Sequence, residues 1–218
     1  NFKNFSQASW MTNNNVNVAY SGKYGSFRTS LTHAFNRGQF PNEDLNKMTF
    51  NVSGNIKYKK FFMDAGATVN YRHSTNDSNA GYYSGSYIYD MVIWLGTEYD
   101  VRDYKNYWIP GKEDAQQNWY DKSGWYDNPY FKAYEVITPR TQTSLNAYAN
   151  LGFEFTDWLK LTVRAGADAY TDKEINRDAI STAYRYSPKG YYEEKLSNGY
   201  SVNTDALLMA DKTWGKFH

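Results

Sequence analysis

The chain has no cysteine among its 218 residues, so neither a disulfide framework nor a thiolate metal site can be built from it. It also lacks any run of about eighteen apolar residues, which excludes a membrane-spanning helix. Charge of one sign is missing as well: the formal net charge is +1, and a nucleic-acid partner would call for a basic stripe. Asn1 is not followed by a charged and then an apolar stretch, so no signal peptide is expected within these residues. Histidine is scarce, and His33, His73 and His218 are far apart, without the HExxH spacing that sets two imidazoles on one helical face. No metal and no cofactor is therefore expected. The acidic pairs Glu43-Asp44, Glu113-Asp114 and Glu193-Glu194 fall in segments without period. Adjacent carboxylates diverge on an extended chain, so they read as solvated charge rather than as a glycosidase pair, and no enzyme is expected. Gly22-Lys23-Tyr24-Gly25 is too short to cradle a phosphate and opens no helix, so it reads as a turn.

What the chain has in excess is aromatic side chains, 19% of residues with 22 tyrosines, against a mean hydropathy of −0.80. That imbalance fits a wall that half-faces lipid and carries long, wet, aromatic loops. The clearest pattern is Ser144–Asp172, where strict alternation runs on both sides of Thr156-Asp157-Trp158. Leu145, Ala147, Ala149, Leu151, Phe153 and Phe155 share one face of the first arm; Leu159, Leu161, Val163, Ala165, Ala167 and Ala169 share one face of the second. Each arm is about eleven residues long, the length a tilted strand needs to cross a bilayer core. The same period appears over Asn14–Tyr20, Phe27–Asn36, Lys47–Tyr58 and Phe61–Arg72, and less clearly over Val202–Trp214. About seven strands are thus predicted.

Their connections run short at Ser21–Ser26, Lys59–Lys60, Thr156–Trp158 and Gly215–His218, and longer at Arg37–Asn46, His73–Pro139 and Lys173–Tyr200. The short turns all fall at one end of the strands. A transmembrane β-barrel segregates its loops in this way, short on the periplasmic side and long outside, whereas an antiparallel sandwich has no reason to. Aromatics repeat the asymmetry: Tyr20, Tyr58, Phe61, Phe155, Trp158 and Trp214 abut the short turns, and Phe35, Tyr71 and Tyr170 mark the opposite rim. The fold class expected is all-β, an antiparallel up-and-down transmembrane β-barrel segment with long extracellular loops. A soluble secreted β-sandwich that binds carbohydrate, whose strands alternate too, is the alternative, and a passive porin or adhesin barrel is a third.

Several stretches then carry a family resemblance. These are Val16 through Tyr58 (VNVAYSGKYGSFRTSLTHAFNRGQFPNEDLNKMTFNVSGNIKY), Asp127-Asn128-Pro129-Tyr130, Phe155-Thr156-Asp157-Trp158-Leu159-Lys160-Leu161, and Asn203-Thr204-Asp205 through Lys212-Thr213. Together they resemble the barrel of the SusC/RagA family of TonB-dependent transporters. The resemblance implies a protein of roughly a thousand residues with a plug domain inside a barrel of about 22 strands. This chain, with about seven strands, no plug and no TonB-contacting segment, reads as an internal piece of such a barrel domain. What the resemblance implies for function is active import of nutrient oligomers, glycans before peptides, across the outer membrane of a Gram-negative cell. It implies outer-membrane lipid around the wall, energy from a TonB complex through a region outside this chain, and a SusD-like lipoprotein over the loops.

The candidate contact site is Tyr104–Phe131, which interleaves Tyr107, Trp108, Trp119, Tyr120, Trp125, Tyr126, Tyr130 and Phe131 with Asp127 and Asn128. Aromatic faces beside amide and carboxylate groups can hold a sugar ring, which has an apolar C–H face and a hydroxyl rim. The same rings can also form the loop's own small core, or pack against a capping protein.

Overall fold

A computed structural model describes residues 2–76, 86–119, 125–183 and 187–213. Eight strands form one antiparallel sheet: β1 (Trp10–Gly22), β2 (Gly25–Arg37), β3 (Asp44–Tyr58), β4 (Phe61–Ser74), β5 (Val136–Ile137), β6 (Arg140–Thr156), β7 (Leu159–Thr182) and β8 (Ser187–Ala210). The long strands follow one another as a meander, β1-β2-β3-β4-β6-β7-β8, and β5 pairs with β7 just beyond the end of β6. Lys23-Tyr24, Lys59-Lys60 and Asp157-Trp158 turn the chain at one end. Lys59 takes a positive φ of 54° there, as the first residue of a primed hairpin turn must. All the longer connections lie at the other end.

Register is what makes the sheet two-faced. One row of directly opposed residues reads Val16, Leu31, Phe50, Val69, Leu145, Ala169, Tyr200, and a second reads Val18, Thr29, Val52, Ala67, Ala147, Ala167, Val202. The row between them reads Asn17, Ser30, Asn51, Thr68, Asn146, Asp168, Ser201. Opposed residues project from the same side of a sheet, so an apolar face and a polar face run unbroken across all the long strands. The polar face is stitched together by side chains. Thr68 donates to Asn51 Oδ1 at 2.7 Å, Thr49 to Asn70 Oδ1 at 2.9 Å, and Asn15 to Thr32 Oγ1 at 2.6 Å.

Among the described residues nothing covers the apolar face. Val16 is 70% exposed, Phe50 44%, Leu151 41% and Val202 62%. A sandwich would seat a second sheet about 10 Å away on such a face, but all eight strands belong to one sheet. Among the described residues the buried apolar side chains lie outside the long strands, most of them in the cluster of Phe5, Met91, Leu95, Val101, Trp119, Tyr130 and Ala133 at the loop end, with Phe131 and Val136 beside it. At the turn end Tyr24 meets Tyr58 edge-on at 5.6 Å and Phe153 meets Phe155 at 5.1 Å, so the aromatics expected there do gather. Trp214 and Gly215–His218 lie outside the described residues.

The structure corrects the strand reading in three places. Among the described residues there are eight strands rather than about seven, because the two-residue β5 extends the line of β6. Lys173–Tyr200 is not an irregular loop: β7 and β8 stay paired from Leu159↔Ala210 out to Thr182↔Ser187. The last strand accordingly spans Ser187–Ala210 rather than Val202–Trp214. Beyond Asp172 charged side chains fall on both faces of the hairpin, so no apolar alternation is imposed; cross-strand ion pairs hold it, Lys173 to Glu194 at 2.9 Å and Lys195 to Glu174 at 3.5 Å.

Two glycines give a contrast in what the pairing tolerates. A Cβ at Gly25 would collide with the backbone carbonyl of Asn55, whereas at Gly166 the nearest atom, Ala147 O, is 4.0 Å away. Gly25→Ala is expected to destabilise the sheet by about 1–3 kcal/mol, and Gly166→Ala to leave it unchanged or raise stability by about 0.5–1 kcal/mol. Urea unfolding of the two variants checks this; equal effects would contradict the register.

Candidate functional site

Between β4 and β5 the chain folds on itself rather than wandering. A short helix α1 (Tyr87–Tyr89) runs into a π-helical turn, Asp90–Trp94, followed by a 3-10 turn, Val101–Tyr104, and helix α2 (Pro129–Glu135). Asn128 is the hub. Its Oδ1 accepts from the amides of Tyr130 and Phe131 and caps α2, Pro129 fills the first helical position, and its Nδ2 donates to Tyr104 O at 2.8 Å and Asn118 O at 2.7 Å. Asp127 accepts from Gln117 Nε2 at 2.6 Å and from the Ala183 amide at 2.7 Å, which ties the segment to the end of β7. Asn42 Nδ2 donates to Ala133 O at 2.9 Å, bringing in the β2–β3 connection, and Phe5 packs edge-on to Tyr130 at 4.9 Å, bringing in the N-terminal residues.

The sequence-predicted contact residues divide by burial. Trp119, Asp127, Asn128, Tyr130 and Phe131 are buried and form the loop's own core and its polar frame. Tyr107 and Trp108 are half-buried against Phe131, Trp108 at 5.1 Å and perpendicular. The Tyr107 hydroxyl donates to Glu135 at 3.0 Å; burial first, and then that carboxylate, push its pKa up to about 12. Trp125 is 63% exposed, and Tyr126 stacks on Trp94 at 4.7 Å. Tyr120 lies outside the described residues. The rings are thus brought together, but Trp125 and the Trp94–Tyr126 stack are the ones that face outward.

Val92, Ile93 and Trp94 join that outward surface at 61%, 55% and 45% exposure, and sequence reasoning missed them. The signal was present: the apolar run Met91-Val92-Ile93-Trp94-Leu95 sits inside a segment otherwise rich in polar residues. Met91 and Leu95 face the core, while Val92 and Ile93 between them stay exposed and Trp94 stacks on Tyr126. Among the described residues no group of three His, Asp or Glu side chains converges to hold a metal ion. No protein-family model matches the chain, and no curated protein matches it.

Beneath this surface Lys132 on α2 forms an ion pair with Asp90 at the start of the π-helical turn, both side chains fully buried. Burial pushes the Asp90 carboxyl up to about 6 against the pull of Lys132, with nearby Asp127 adding to the rise. Its second oxygen, Oδ1, accepts no hydrogen bond among the described residues. An acid whose pKa rises on folding binds its proton more tightly when folded. This carboxyl's contribution to stability is therefore fully present below about pH 4 and is lost as pH rises towards 6. Removing one partner leaves a buried charge alone, so Lys132→Met is expected to destabilise the loop cluster by about 3–5 kcal/mol, and the double change with Asp90→Leu to recover most of it. Protease cleavage within 87–137 at neutral pH reads this out; a single variant as resistant as the double would contradict the pairing.

Proposed function

We propose that this chain is part of the wall of an outer-membrane, TonB-dependent importer of the SusC/RagA kind in a Gram-negative cell. Its cargo would be nutrient oligomers, glycans before peptides, and a SusD-like surface lipoprotein would cover the loop end. The observation that carries the reading is the uncovered apolar face, held in register across every long strand. In water that much contiguous apolar surface is a liability; against hydrocarbon it is the required solvent contact, and the backbone is satisfied by the ladder. The arms 145–155 and 159–169 match the roughly 9–11 residues of a tilted membrane strand. The soluble sandwich is disfavoured because it needs a second sheet on this face.

The loop cluster would then stand outside the cell, with Trp125, Tyr126 and the exposed Val92, Ile93 and Trp94 presented to cap or cargo. The buried members, Trp119, Asp127, Asn128, Tyr130 and Phe131, with half-buried Tyr107 and Trp108, would hold that surface in shape. Tyr120 belongs to the same stretch of sequence. The resemblance supplies the transporter class, the cap and the TonB energy source; the geometry supports the wall.

Ala165 and Arg164 sit side by side on β7 and face opposite ways: Ala165 opposes Ala149 and Thr204, and Arg164 reaches Asp205 at 2.8 Å. Ala165→Arg is expected to cost about 2–4 kcal/mol of stability on folding into lipid vesicles if the position is near the midplane. Arg164→Ala should cost little, since its ion pair is exposed. Equal tolerance of both changes would overturn the membrane assignment.

A further inference from the structure

The polar face of the sheet carries a hollow of about 410 Å³, lined in part by Asn51, Thr68, Asn146, Tyr148 and Asp168. Its shape comes from two glycines that oppose Tyr148 from the neighbouring strands, Gly66 on β4 and Gly166 on β7. A Cβ on Gly66 would lie 2.7 Å from Tyr148 Cε1, so the ring lies over that glycine with its other side open, and the residue is 44% exposed. Covering a bare strand glycine explains the ring. It does not explain Gly166, whose Cβ position is empty space, and glycine in a strand weakens it when nothing requires it.

Four residues along β7 from Gly166, roughly 13 Å on at strand rise, Tyr170 repeats the arrangement over Gly199 and is 52% exposed. Midway between the two rings, in the register row of Asn146 and Asp168, the Asn146 amide donates to the Asp168 carboxylate at 2.5 Å. A third ring of this kind, Phe62 over Gly152, is capped by the Lys160 ammonium 4.1 Å from its centre, so its face is not open. Arg164 beside the hollow is engaged by Asp205, and among the described residues that line the hollow there is no lysine or arginine, which favours a neutral ligand. The lining joins amide, hydroxyl and carboxylate groups to bare glycine, alanine and the Tyr148 ring, a mixture that suits the apolar C–H face and hydroxyl rim of a sugar.

We propose that this hollow is a binding subsite for a neutral oligosaccharide. Tyr148 and Tyr170 serve as two stacking platforms, and the Asn146–Asp168 pair between them receives the hydroxyl rim. The assignment rests on the proposed wall and its glycan cargo, and places a cargo contact on the sheet itself, away from the loop cluster. An extended chain, rather than a single sugar ring, is needed to span both platforms.

The test is calorimetric titration of the intact protein that contains these strands, in detergent, with maltohexaose and cellohexaose and with hexa-alanine as the peptide probe. At least one hexasaccharide should bind. Tyr148→Ala, which removes a platform, and Gly166→Val, which fills the hollow, should each weaken it about tenfold or more, while Val163→Ala on the apolar face leaves it unchanged. Hexasaccharide binding that neither change weakens, binding of hexa-alanine alone, or no binding of either hexasaccharide would overturn the subsite. Insertion into lipid vesicles, followed in parallel, separates the two levels. A protein that inserts but binds no hexasaccharide loses only this subsite; one that does not insert loses the wall as well, and the subsite with it.

Discussion

The constraint on which the rest of the structure depends is the pairing register, which aligns the apolar rows of seven long strands on one side and their amide, hydroxyl and charged rows on the other. A slip of one residue in any strand would move its Val, Leu and Phe side chains onto the polar face and its Asn, Asp and Arg side chains onto the apolar one. Tight turns at Lys23-Tyr24, Lys59-Lys60 and Asp157-Trp158 fix that register from one end, the last with a shift between Glu154 and Thr156. Cross-strand hydrogen bonds such as Thr68 to Asn51 and Asn146 to Asp168 fix it from the polar side. Both depend on strands that have no covering layer, so the backbone ladder and these side-chain contacts carry what a hydrophobic core carries in a soluble domain.

Burial of the ordinary kind is confined to the loop end. There Phe5, Phe40 and the segment from Ile88 to Ala133 converge on a cluster framed by Asn128, Asp127 and the buried Lys132–Asp90 pair. Satisfying the helix start of α2 and two backbone carbonyls from one asparagine is what allows a long connection to hold a shape. A shaped loop cluster at one end and bare turns at the other give the molecule a polarity, and it is this polarity that a transporter wall with an outer cap would use.

The strands β1 to β4, β6 and the first half of β7 were legible in the sequence because one-sided solvent imposes alternation: Leu161, Val163, Ala165 and Ala167 could not be read otherwise. The second half of β7 and the start of β8 were not legible, since Lys173, Glu174, Glu193, Glu194 and Lys195 put charge on both faces and the ion pairs that join the strands there, Lys173 to Glu194 and Lys195 to Glu174, are recorded by no single-strand pattern. The two residues of β5 were too few to show any period. The loop cluster was half legible. Its aromatics announced a packed or binding surface, but nothing in the sequence separates buried Trp119 from exposed Trp125, because that division is made by Tyr104, Phe5 and Met91 from distant positions. Gly66 and Gly166 looked like gaps in two strands; only the register places both beside Tyr148.

The central claim is that the apolar face of this sheet meets hydrocarbon. It is tested most directly by single nitroxide labels at each position from 161 to 169 of β7, in the protein reconstituted into lipid, with collision accessibility measured for oxygen and for a water-soluble nickel chelate. The account predicts a period of two: odd positions, in the rows of Val163, Ala165 and Ala167, accessible to oxygen and shielded from nickel, and even positions the reverse. Nickel accessibility that is equal at odd and even positions would contradict it.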